Sequence, residues 1–187
     1  KLLFILTLFI TFTTKSQTLN WAKQIGNSTA NFTNSIASDA AGNVYVWGTF
    51  QLSVDFDPGP GLQTLSSFAN SEDVFLAKYD NAGNFLWVKQ MGVTTADRAT
   101  AMVVDPSGNV YCLGSFYGTA TFGPETFTAS SFGAQDTFVT KIDASGNIIW
   151  AGQLATQFSR TINFIGNDIL LSGNQYGSTI DFAFGAA

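Results

Sequence analysis

An all-β fold made of repeated four-stranded antiparallel units is predicted for this chain by three observations. Gly42-Asn43-Val44-Tyr45 returns as Gly108-Asn109-Val110-Tyr111, 66 positions on, and residues 73–87 (DVFLAKYDNAGNFLW) return as 136–150 (DTFVTKIDASGNIIW), 63 positions on. A period this long, built of short strand-like runs, indicates an array of β modules that bury their faces against their neighbours. The motif D-x-x-G-N occurs at Asp39, Asp80, Asp105 and Asp143, each time between two apolar runs. The run after the first of these alternates with period 2, yet both its faces are apolar: Val44 and Val46 on one side, Tyr45 and Trp47 on the other. Strands of that kind are covered on both faces.

The first segment lies outside this pattern. Lys1 precedes eleven mostly apolar positions, 2–12, and the polar stretch TTKSQ follows. This is the layout of a secretory signal peptide over residues 1–16, with export to the cell exterior or surface expected. Cleavage after Ser16 places the small residues Thr14 and Ser16 before the cut and exposes Gln17. The apolar run is shorter than the roughly 20 residues a membrane-spanning helix needs, so no membrane span is expected. The repeat region is then 17–187, with copies at approximately 21–87, 87–150 and 150–187.

Residues 20–25, around Trp21, resemble the runs that open at Trp87 and Trp150, and so read as the closing strand of a unit standing before any first strand. Copy one continues with a strand at 35–39, a turn at 40–43 and a strand at 44–50. After a long connection, 51–72, come a strand at 74–80, a turn at 81–84 and a strand at 85–90. In each D-x-x-G-N turn the Asp accepts backbone N–H groups two or more residues on, and the Gly supplies a positive φ. Copy two repeats the plan. Copy three spans 23 positions from Trp150 to Gly173 where copy two spans 27 from Trp87 to Gly114, so its first turn is expected to be tighter.

Twisted four-stranded sheets stacked around an axis give inner strands this environment, which predicts a β-propeller. The chain holds about two and a half blades. Closed propellers use about 4 to 8, so a longer closed ring is expected, with the remaining blades of the same chain as partners. An open β-solenoid or stacked-sheet array is the alternative.

The matching pieces 39–48 with 73–87, and 105–114 with 136–150, resemble the blade of the bacterial β-propeller repeat called the SBBP repeat: D-x-x-G-N-V-Y-V-x-G, a loop, D-x-F-V-x-K-Y-D-x-x-G-N and a Trp. DFDPGPG, 55–61, is similar to that family's loop. The resemblance implies a secreted or surface bacterial propeller, often one module of a larger protein, and no defined reaction.

Composition narrows the function. Without the signal segment the chain keeps 6 basic and 13 acidic residues, a net charge of −7, which disfavours nucleic acid and anionic membranes as partners. The chain has no histidine, which removes His-activated nucleophiles and His-based zinc sites. Cys112 stands where copy one has Val46 and reads as a core residue. Lys78 and Lys141 read as structural, as do Trp21, Trp87 and Trp150, placed for packing between blades. No catalytic constellation is found.

The long connections, 51–72 and 117–135, recur at one point of the repeat and so emerge on one face, often the binding face. They carry Asp55, Phe56 and Asp57 in copy one and Phe122, Glu125 and Phe127 in copy two, with Asp181 and Phe182 corresponding in copy three. Asp55 and Asp57 share one side of an extended segment and are the candidates for a calcium or sugar contact, although copy two has Thr121 and Gly123 there. Otherwise they belong to a loop stiffened by Pro58 and Pro60. The expected role is a secreted binding, adhesion or scaffolding module for an extracellular protein or glycan; the alternative is the propeller domain of a carbohydrate-active enzyme.

Overall fold

The computed structural model describes residues 21–26, 31–92, 95–130, 135–154, 158–165 and 168–174. The signal segment and the pair Asp181 and Phe182 lie outside the described residues. The first blade contains β1 (Asn31–Ser38), β2 (Val44–Phe50), β3 (Ser53–Asp55), β4 (Thr64–Ser66), β5 (Asp73–Tyr79) and β6 (Phe85–Met91). The second contains β7 (Arg98–Val104), β8 (Val110–Tyr117), β9 (Thr119–Phe122), β10 (Glu125–Thr128), β11 (Gln135–Ile142) and β12 (Ile148–Leu154), and a hairpin of β13 (Phe158–Ile165) and β14 (Asp168–Asn174) follows.

Each complete blade is one antiparallel sheet, ordered β1-β2-β5-β6 and β7-β8-β11-β12. This is the partial propeller expected, two four-stranded blades and the first hairpin of a third. The first strands β1, β7 and β13 lie side by side, which makes them the inner strands and puts β6 and β12 at the rim.

The four D-x-x-G-N turns are built alike. Asp39 Oδ1 accepts the N–H of Ala41 (3.0 Å) and Asn43 (2.9 Å), while its Oδ2 accepts Asn43 Nδ2 (2.9 Å). The same three bonds recur at Asp80, Asp105 and Asp143, all within 2.7–3.0 Å. The turn glycines hold φ of 79° to 86°, a region that side chains resist. In the third hairpin Ile165 pairs with Asp168, so its connection is two residues, tighter as expected.

The glycine that ends V-Y-V-W-G has a different purpose. A Cβ on Gly48 would stand 2.3 Å from Phe32 O and 2.7 Å from the Phe75 ring, and one on Gly114 would stand 2.3 Å from the Phe138 ring and 2.7 Å from Arg98 O. The phenyl ring of the third strand therefore lies directly over the second strand. The first strand bulges beside this point in every copy, between Thr33 and Ser35, Ala99 and Ala101, and Ser159 and Thr161. A bulge bends its strand and increases local twist, which suits the strand nearest the axis.

Three apolar clusters alternate with the sheets. Tyr45, Trp47 and Leu76 of the first blade meet Val110, Cys112 and Phe138 of the second. Val46, Phe75 and Tyr79 pack on the opposite face of the first blade, and Leu113 and Val139 pack toward Ile162 of the third. Cys112 is fully buried, as expected of a core residue, and burial pushes its thiol pKa up.

Residues 21–25 correct the sequence reading, since they form no strand of any sheet. They occupy the place of one all the same. Trp21 Nε1 donates to Asn81 O at 3.0 Å, as Trp87 Nε1 of β6 donates to Ala144 O at 3.3 Å in the next blade. Trp21 and Lys23 crowd Gly83 as Trp87 and Lys89 crowd Gly146. Among the described residues the backbone of this segment joins no ladder.

Candidate binding face

The connections between second and third strands are themselves hairpins, β3–β4 and β9–β10, where the sequence suggested only loops. Period 2 explains how they are anchored. Val54 and Phe56 point inward in the first blade, Ala120 and Phe122 in the second, and all four are buried. Phe56 packs 4.7 Å from Phe75, and Phe122 stacks 4.2 Å from Phe138. The aromatic residues expected at a binding face are thus core residues, apart from the half-buried Phe127, while Glu125 stays exposed.

Asp55 and Asp57 lie on the outer side of β3 and the turn after it, as their spacing indicates. Asp55 Oδ1 accepts the N–H of Asp57 (3.0 Å) and Gln63 (2.8 Å), and Asp57 Oδ1 accepts the N–H of Gly59 (2.7 Å). Both carboxylates hold the Pro58–Pro60 turn closed from within. Their charges reach Tyr79, whose hydroxyl donates to Phe56 O at 2.9 Å; burial first, then Asp57 and Asp55, raise its pKa. Among the described residues no three His, Cys, Asp or Glu side chains gather as a metal site.

Two features of this face escaped the sequence reading. Asp73 and Asp136, at the start of the third strand in each blade, are buried carboxylates. Asp73 accepts Phe68 N (2.8 Å), Ser71 Oγ (3.2 Å) and Gln90 Nε2 (2.6 Å). Asp136 accepts Ser130 N and Oγ (both 2.9 Å) and Gln153 Nε2 (2.6 Å). Burial raises the Asp73 pKa against these donors. The signal was the recurrence of both Asp and Gln at the 63-residue period. The second feature is an open cleft of about 240 Å³ between the inner strands, lined by Phe32, Asn34, Thr49, Glu72, Arg98 and Ala99. Arg98 Nε donates to Glu72 Oε2 at 2.8 Å across the blade boundary. No repeat motif marks Arg98 or Glu72, so only three-dimensional placement reveals the pair.

Lys78 and Lys141 are structural, as expected. Lys78 Nζ lies 4.8 Å from the Tyr45 ring centre and 3.7 Å from Asp39 Oδ2, and donates to Ala144 O at 3.2 Å. Lys141 repeats the ring contact, 5.2 Å from Tyr111. Trp87 and Trp150 meet Tyr45 and Tyr111 edge-on at 6.1 and 6.2 Å. They pack at blade boundaries rather than form a sugar-stacking surface.

No family model matches the chain. It is similar to an uncharacterized WD repeat-containing protein, L264, of Acanthamoeba polyphaga mimivirus, with 26% identity over 87% of this chain and 14% of that protein. It is also similar to the regulatory protein FlaEY of Caulobacter vibrioides, with 28% identity over 78% of this chain and 16% of that protein. The chain therefore spans about a seventh of the length of the first relative and about a sixth of the second. Sheet topology and the likeness to a WD repeat-containing protein agree on a β-propeller-like repeat module.

Proposed function

We propose that the chain is a secreted or cell-surface propeller module of the SBBP type that binds an extracellular protein or glycan and carries out no reaction of its own. The observation that carries this reading is the construction of one face. Both complete blades extend the same connection into a hairpin, anchor it with buried side chains, and leave its outer side and the adjoining cleft to solvent. Rigidly mounted loops on a repeat array are a common form of binding surface. The likeness to a WD repeat-containing protein supports a binding role. Residues 21–25, seated where an outer strand belongs, support further blades completing a ring.

Purified protein applied to arrays of extracellular matrix proteins and polysaccharides tests this reading. Saturable binding without turnover is the expected result. Cleavage of a polysaccharide, lost when Asp55, Asp57 or Glu72 is changed, would overturn it in favour of a carbohydrate-active enzyme. For export, N-terminal sequencing of the processed protein should begin within a few residues of Gln17; a retained apolar N-terminus refutes the secretory part.

A further inference from the structure

Leu52 occupies a position that the repeat reserves for glycine. It corresponds to Gly118 in the second blade, and the two share one backbone geometry: φ is 65° at Leu52 and 63° at Gly118. Ser67 N donates to Leu52 O at 2.9 Å as Ala129 N donates to Gly118 O at 2.7 Å. The left-handed region strains any residue with a Cβ, and bulky residues most. Packing gives Leu52 limited return, since 44% of it is exposed. Strained backbone of this kind clusters at binding and switch sites.

A second exposed apolar residue stands beside it. Leu52 N donates to Ser67 Oγ at 2.9 Å, and Ser67 is followed by Phe68, which is 47% exposed. Ala69 and Asn70 follow with φ of 49° and 57°, and Gln51 Nε2 donates to Asn70 O at 2.6 Å, tying the two segments together. Three left-handed non-glycine residues thus lie in the two joined segments that carry Leu52 and Phe68. The connection that presents them, residues 51–72, contains no Lys or Arg; Glu72 is paired with Arg98, and Asp55 and Asp57 supply its remaining negative charge.

We infer that Leu52 and Phe68 form the apolar anchor of a docking site for an extended polypeptide segment of another protein, apolar at its centre and basic on its flanks. The charge of the connection selects that occupant over an acidic one, and the exposed leucine and phenyl supply the anchor. This deepens the binding-module reading and rests on it.

The test uses the full chain and a fluorescent peptide of alternating Lys and Leu, with the Glu–Leu peptide as control, by anisotropy. Leu52→Gly and Phe68→Ser are each expected to weaken Lys–Leu binding tenfold or more, and the Glu–Leu peptide should bind at least tenfold more weakly. Leu52→Gly should melt no lower than the parent, because glycine relieves the strain. Equal binding by parent and variants overturns the proposal, as does no binding by the parent. So does a Leu52→Gly protein that melts several degrees lower, since the leucine is then a packing residue. Self-association of the parent that Leu52→Gly abolishes overturns it in favour of a second copy of the chain. Array binding that both variants retain would leave the general module reading standing while the docking site falls.

Discussion

Gly114→Ala is the sharpest perturbation this architecture offers. The added Cβ would lie 2.3 Å from Phe138 Cζ and 2.7 Å from Arg98 O. Neither neighbour has room to move. Phe138 is fully buried, stacked 4.2 Å from Phe122 and edge-on to Trp47 at 6.2 Å, and Arg98 O belongs to the backbone of the bulged β7. Overpacking a dense core costs about 1–3 kcal/mol, and with two rigid neighbours the upper end, about 3 kcal/mol, is expected. For a chain of this size each kcal/mol lowers the melting temperature by about 2–4 °C, so a fall of about 6–12 °C should follow in calorimetry or circular dichroism. Gly48→Ala should fall as far, because its Cβ would meet Phe32 O and Phe75 in the same way. Gly59→Ala serves as the control: its Cβ approaches only the end of the Asp57 side chain, at 3.0 Å, and a change within about 0.5 kcal/mol is expected. A double variant, Gly114→Ala with Phe138→Ala, should show a coupling of about 1 kcal/mol or more, as contacting residues do. If Gly114→Ala melts within a degree of the parent, the ring does not rest on that glycine and the blade geometry argued above is wrong.

Four further outcomes follow from the same contacts. Replacing Cys112 and Thr140 with the Val and Ala of the first blade should keep or raise the melting temperature, since the buried Thr140 hydroxyl meets no partner stronger than the Cys112 thiol; a fall of several degrees would count against equivalence of the two cores. At Asp39 burial raises the pKa, but the bonds from Asn43 and Ala41 outweigh it, and at Asp80 and Asp143 the Asn partners lower it. These turns therefore contribute stability that is complete above the unfolded carboxylate value of 3.8 and lost as pH falls through the lower folded value; Asp39→Asn should flatten the acid limb of a pH–melting profile, and an unchanged limb refutes the assignment. Trp21→Phe and Trp87→Phe should each cost about 1 kcal/mol for the lost indole hydrogen bond, and a much smaller loss at Trp21 would show that residues 21–25 do not hold an outer-strand place. Asp55→Asn with Asp57→Asn should lower the melting temperature equally with and without millimolar calcium if these carboxylates serve the turn; a calcium-dependent rise in the parent alone would assign them to a metal.

Legibility of the fold followed its repetition. The four-stranded blade was readable because turn and strand patterns recur, and four Asp–Gly pairs at one spacing leave little freedom. The hairpin β3–β4 was not readable. Ser53, Val54 and Asp55 are too few to show a period, and Pro58, Gly59, Pro60 and Gly61 resemble an open loop. Phe56 was placed with the binding face for the same reason, since only the Phe50 and Phe75 rings packed against it reveal it as core. The role of Asn43, whose amide closes the Asp39 turn, lay in the motif, yet backbone geometry alone suggested only the Asp and the Gly. Residues 20–25 were assigned by pattern to a strand; the contacts of Trp21 with Asn81 and Gly83 appear only in three dimensions, and a strand also needs a ladder partner, which local sequence cannot supply. Arg98 and Glu72 are 26 residues apart, outside any motif, and meet only because one blade follows the other.

The junction between the two blades has a consequence for how neighbouring blades are matched. Tyr45 Oη reaches Gly108 O, Trp47 Nε1 reaches Leu113 O, and Lys78 Nζ and Trp87 Nε1 both reach Ala144 O. In the other direction, Ala99 N donates to Thr49 Oγ1 and Met102 N to Ser35 Oγ. In all six contacts the second blade offers a main-chain atom, whereas the Arg98–Glu72 ion pair joins two side chains. A peptide group is identical whatever side chain it carries. The polar part of such a junction is therefore insensitive to which side chains the next blade carries at those positions, and the match between neighbouring blades is left to their apolar faces, where Tyr45, Trp47 and Leu76 meet Val110, Cys112 and Phe138.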